Sequence, residues 1–152
     1  MNTDDNIILE VDTIPKVDLD FMNNTHVEEI HMVKLLGEKI RDYQAGESLS
    51  DKKIMKLSQL LIQWLDHTHD HFQRENELML DTHFPMYPMH SSEHTRVLED
   101  MKQRVSAWQN THDLDVIAEY VFSIWPHWFD GHVNSMDMMT ARFAVMQGYQ
   151  AA

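Results

Sequence analysis

Residues 51–80 read DKKIMKLSQLLIQWLDHTHDHFQRENELML. Leu57, Leu60, Leu61, Trp64, Leu65, Phe72 and Leu78 recur at steps of three and four, the spacing of a helix with one apolar face. Ser50 or Asp51 supplies an N-terminal cap, and the pattern runs to about Leu80. The same stretch carries His71 and Glu75. A step of four residues advances an α-helix by about 400°, so these two side chains leave one face roughly one turn apart.

The flanking sequence repeats the pattern. Toward the N-terminus, Val27, Ile30, Val33, Lys34, Leu36 and Ile40 form a stripe that predicts a helix from about Leu19 to Gln44, closed by Gly46. Toward the C-terminus, Thr82–Pro88 holds two prolines and reads as a loop. A third helix is expected from about Met89 to Trp108, and a fourth, capped by Asp113, to about Val145. Pro126 falls inside the fourth pattern, where it removes a helical hydrogen bond and should kink or break the helix near Ser123–Trp125. Four long helices with short connections predict an all-α, antiparallel up-down-up-down four-helix bundle. It spans residues 18–152 and follows an N-terminal arm, residues 1–17, in which Ile7, Ile8, Leu9, Val11 and Ile14 can pack on the bundle and Pro15 ends the segment.

Composition agrees with one helical domain. The chain has 152 residues, with four glycines and four prolines, poor material for a turn-rich β fold. It has no cysteine, which excludes disulfides, iron–sulfur clusters, thiolate zinc sites and covalent c-type haem. Twelve basic against 25 acidic residues leave a formal charge of −13. With no basic stripe, such a surface repels phosphate backbones and anionic membranes, so neither nucleic acid nor a membrane is an expected partner. The N-terminal residues lack the pattern of a secretory signal, and no apolar run reaches the roughly 18 residues of a membrane span. The expected location is cytoplasmic, as a monomer or weak homo-oligomer.

Chemistry concentrates in seven residues: His26, His71 and Glu75, His90 and His94, His132 and Asp137. The bundle topology puts them on four helices facing one interior. Imidazole and carboxylate without thiolate suit iron, manganese or zinc. Two octahedral ions offer about twelve positions, so this set leaves room for a bridging oxygen species and one open position. A buried structural zinc keeps no vacancy, whereas a diatomic ligand needs one. A single His-x-x-x-His pair means little in a chain with 11 histidines; His67 and His71 also stand four apart. His31, His67, His69, His83, His112 and His127 are accordingly read as surface or core-edge residues. His132 and Asp137 stand five apart, about 140° on a regular helix, and a π-bulge would bring them into line.

In these motifs the chain resembles the hemerythrin family in its bacterial single-domain form. The family pattern is met by His26, by His71, Phe72 and Glu75, by Pro85 ahead of His90 and His94, and by His132, Val133 and Asp137. The resemblance covers about residues 18–145 and implies two iron ions with an oxo or hydroxo bridge. His90, His94 and His132 would hold a coordinatively filled iron. His26 and His71 would hold the one that keeps the vacancy, and Glu75 and Asp137 would bridge both. Asn76 replaces a glutamate that often follows the bridging one, a change expected outside the ligand set. The function implied is reversible dioxygen binding, in transport, storage, delivery or sensing, with no catalytic residue assigned. The alternatives are a di-iron enzyme acting on dioxygen, peroxide or nitric oxide, and an iron-homeostasis protein. Trp64, Phe72, Trp128 and Phe129 are candidates for an apolar lining.

Overall fold

The computed structural model of the chain describes residues 10–149. Helix α1 spans Asp20–Ala45, α2 Asp51–Asp81 and α3 Tyr87–Thr111. A fourth helix, α4, runs without interruption through five consecutive segments, Leu114–Glu119, Tyr120–Ile124, Trp125–His132, Val133–Asp137 and Met138–Met146. The connections are too short to let consecutive helices run the same way, so neighbours are antiparallel. α1 packs on α2, α2 on α3, α3 on α4, and α4 closes back on α1. This is the bundle that the sequence predicts.

The ends follow local chemistry. Ser50 Oγ accepts from the Lys53 N–H at 3.2 Å, and Asp113 Oδ1 accepts from the Asp115 N–H at 2.9 Å. α3 differs from the sequence reading at both ends. It starts at Tyr87, with Pro88 in its first turn, where a proline costs no helical hydrogen bond. It continues past Trp108 to Thr111, where His112 at φ 52° stops it in the left-handed region and returns its N–H to the Trp108 carbonyl. His83, just past α2, is also left-handed at φ 57°. Two of the surplus histidines therefore mark helix ends.

The core is a column of large side chains, among them Ile30, Leu36, Ile40, Leu57, Leu61, Trp64, Met101, Trp108 and Ile117. Of the arm residues expected to pack, Ile14 is buried, Val11 is exposed, and Ile7, Ile8 and Leu9 lie outside the described residues. Val17 and Leu19 are buried too. Asn23 on α1 pins the arm, its amide bonded to both the N–H and the carbonyl of Val17 at 2.8 and 2.9 Å. Among the described residues no helix is long and apolar enough to cross a membrane.

Pro126 neither breaks nor ends α4. The strain is absorbed in the turn before it: over Tyr120–Ile124 the helix widens, and the Trp125 N–H bonds to the Tyr120 carbonyl five residues back. A second such turn covers Val133–Asp137, where the Met138 N–H reaches the Val133 carbonyl. That is the π-bulge suggested by the five-residue spacing of His132 and Asp137.

Candidate metal centre

All seven of the residues singled out in the sequence are buried in the bundle interior, one on α1 and two on each of the other helices. Every histidine turns Nε2 toward a carboxylate. On one side, His71 Nε2 lies 2.7 Å from Glu75 Oε2 and His26 Nε2 lies 3.1 Å from Asp137 Oδ2. On the other, His94 Nε2 is 3.2 Å from Glu75 Oε1, while His90 and His132 Nε2 are 3.2 and 3.1 Å from Asp137 Oδ1. Two overlapping groups result. His26, His71, Glu75 and Asp137 bring ligand atoms within 4.8 Å of one another, and so do Glu75, His90, His94, His132 and Asp137. The two carboxylates belong to both.

The donor set fits cations better than it fits itself. His26 Nε2, His94 Nε2, Glu75 Oε1 and both Asp137 oxygens are buried without a hydrogen-bond partner. Buried polar atoms are rarely left so, and here they all face inward. The carboxylates stand ready as anions. Burial pushes Glu75 up, yet the surrounding histidines, His71 foremost, hold it well below the usual carboxylate range. Asp137 is likewise depressed: burial and the Glu75 charge raise it, and His132 and His26 outweigh them. Burial pushes the His94 imidazole down, which favours the neutral form that a metal needs.

The description "Hemerythrin HHE cation binding domain" matches residues 18–143. The chain belongs to the hemerythrin family. It is 27% identical over 136 residues to the bacteriohemerythrin of Aquifex aeolicus (strain VF5), covering 90% of this chain and 97% of that one. No solved structure gives a significant match.

Around the hemerythrin-type cluster, a second ring of groups fixes the imidazoles. His94 donates from Nδ1 to Asn76 Oδ1 at 2.9 Å, while its Nε2 faces Glu75. His90 Nδ1 pairs with Thr140 Oγ1 at 2.7 Å. Phe72 stacks on His94 at 4.2 Å, Trp128 stacks on His132 at 4.5 Å, and Phe129 meets His26 edge-on at 5.5 Å. Three of the four lining candidates thus touch imidazoles of the cluster. Trp64 does not take that place: it packs on Trp125 and Tyr120 and donates to a carboxylate that the sequence reading passed over.

That carboxylate is Glu29, fully buried on α1. Trp64, His67, Thr68 and His71, one face of α2, all point at it. His67, read from the sequence as a bystander, is half-buried and held between Glu28 and Glu29 at 2.9 Å each. Burial raises Glu29, but hydrogen bonds from His67 and His71 overcome this and hold it at about 2. The available signal was a polar stripe, Trp64-x-x-His67-Thr68-x-x-His71, on a helix face that is otherwise core. His31, His69, His83, His112 and His127 are exposed.

Proposed function

We propose that this protein binds dioxygen reversibly at a pair of iron ions held by His26, His71, Glu75, His90, His94, His132 and Asp137. The observation that supports this best is the unequal division of donors. Each carboxylate turns one oxygen to the two-histidine side and the other to the three-histidine side, so it can bridge two metals. The two-histidine side has four residues and the other has five. The position left for a small exogenous ligand is therefore beside His26 and His71.

When bound, a ferrous pair supplies redox-active metal that can lend electrons to a diatomic ligand and recover them on its release. The chain's own residues set the conditions. The five imidazoles would hold the metals through Nε2, with Nδ1 of His71, His90 and His94 tied to outer partners. Phe72, Trp128 and Phe129 keep water from the rings they cover. A cavity of about 50 Å³ reaches His26 between the arm and α1, lined mainly by Val11, Ile14, Pro15, Val27 and Ile30. It has room for a molecule of diatomic size.

Protein from iron-replete cells should carry about two irons per chain, as expected for two sites with imidazole and carboxylate donors. Reduced protein should gain a visible spectrum in air and lose it on degassing, over repeated cycles. One-way oxidation with turnover in the presence of a reductant would favour an enzyme instead. Iron uptake and release without a fixed ratio would favour iron homeostasis. Zinc alone, after iron supplementation, would overturn the reading.

A further inference from the structure

The outer partners of the histidines are not alike. His90 is backed by a hydroxyl and His94 by an amide, both neutral. His26 has no partner at Nδ1. His71 alone is backed by a carboxylate: its Nδ1 lies 3.2 Å from Glu29 Oε1.

Glu29 is held firmly enough to act. It is wholly buried, and its four partners come from a single face of α2. Trp64 Nε1 donates to Oε2 at 3.0 Å, and Thr68 Oγ1 donates to Oε1 at 3.0 Å. His67 Nδ1 lies 2.9 Å from Oε1. With donors converging on both oxygens, Glu29 accepts at each and His71 must carry its proton on Nδ1. The lone pair of His71 Nε2 is thereby turned inward, toward Glu75. A carboxylate behind a ligand imidazole also makes that imidazole a stronger donor.

We propose that Glu29 is a positioning residue for one metal of the pair, acting through His71 on the two-histidine side only. The inference rests on the two-metal reading above. It implies that the two positions are made unlike from outside the ligand shell: the side with fewer histidines is compensated by a buried carboxylate that is not itself in the donor set. His67 shares Oε1 with His71 and is also tied to Glu28.

The test is an anaerobic titration of metal-free protein with Co(II), followed by its visible absorption. Wild type should take up two equivalents. Glu29→Gln should keep one tight site and bind the second roughly 10- to 100-fold more weakly, the loss typical of an outer partner of a ligand histidine. His69→Ala, at an exposed position paired only with Asp70, should keep both sites, and Asn76→Ala should weaken the other site through His94. A purely structural role for Glu29 would lower both affinities together. Circular dichroism checks the fold; if Glu29→Gln is unfolded, Thr68→Val, which strips one hydrogen bond from Glu29, should weaken the same site by a smaller factor. Two equivalents in wild type with unchanged or equally reduced affinities in the folded Glu29 or Thr68 variant would overturn the inference alone. Fewer than two in wild type would overturn the two-metal reading and this inference with it.

Discussion

The Nε2 atoms of His90 and His132 face each other at 3.1 Å in the bundle interior. Each lies as close to Asp137 Oδ1. Two imidazole lone pairs cannot share that space without a proton or a cation between them. Metal should therefore stabilise the fold. At a free metal concentration about a hundredfold over Kd the gain is about 3 kcal/mol. In a chain of this size that is on the order of 5–10 °C in Tm. Thermal unfolding with and without a strong chelator measures it, and equal midpoints would show that the cluster holds no ion in solution.

Ligands should separate cleanly from look-alikes. Glu75→Ala removes a residue common to both donor groups and should cost both metals. His94→Ala removes a donor from one group only and should leave about one metal per chain, the share of the two-histidine side. His69, exposed and paired with its neighbour Asp70, is the control: His69→Ala should keep the wild-type content. Elemental analysis after gel filtration decides among these.

Gly37 on α1 faces Phe122 in the widened turn of α4. A Cβ built there would lie 2.9 Å from Phe122 Cε1, and the Arg41 guanidinium already covers that ring at 4.5 Å. Gly37→Val should push Phe122 aside and cost about 1–3 kcal/mol in urea unfolding, the usual range for overpacking. An unchanged midpoint would mean that the ring moves freely.

Glu93 gives a pH test away from the carboxylates of the centre. Hydrogen bonds from Arg96, and then from Trp128 Nε1 at 2.8 Å, hold its carboxyl at about 2. A depressed carboxyl stabilises the fold above its unfolded value and loses that contribution as pH falls through its folded value. The difference between wild type and Glu93→Gln should be full near neutrality, shrink below about pH 4.5, and vanish toward pH 2. Because Arg96 is exposed and Glu93 only partly covered, solvent screens the pair and the full difference should be below about 1 kcal/mol. Urea unfolding of both metal-free proteins at pH 7 and pH 3 tests the sign.

Helix positions and the convergence of His26, His71, Glu75, His90, His94, His132 and Asp137 were legible because both depend on spacing along one helix. Leu57 through Leu78 mark α2 by their period, and the five-residue step from His132 to Asp137 is compatible with the bulge without requiring it. Glu29 and His67 were not legible for the opposite reason. Their meaning lies in how α1 faces α2, where Glu29 takes a core position and meets Trp64, His67 and Thr68. Pro126 was half legible: the missing donor is a local fact, but its accommodation by a wider turn depends on the packing around Tyr120 and Val121, both buried.

The turn Val133–Asp137 holds one residue more than an α-helix needs, and the helix beyond it keeps the face it would have had without that residue. Asp137 comes within 3.1 Å of both His132 and His26 from there. In the currency of inheritance, such a turn corresponds to a single inserted codon. A bundle of ordinary α-helices can therefore acquire or shed this carboxylate's placement by an in-frame change of one amino acid, while Thr140, Ala141 and Ala144 continue to face the same core.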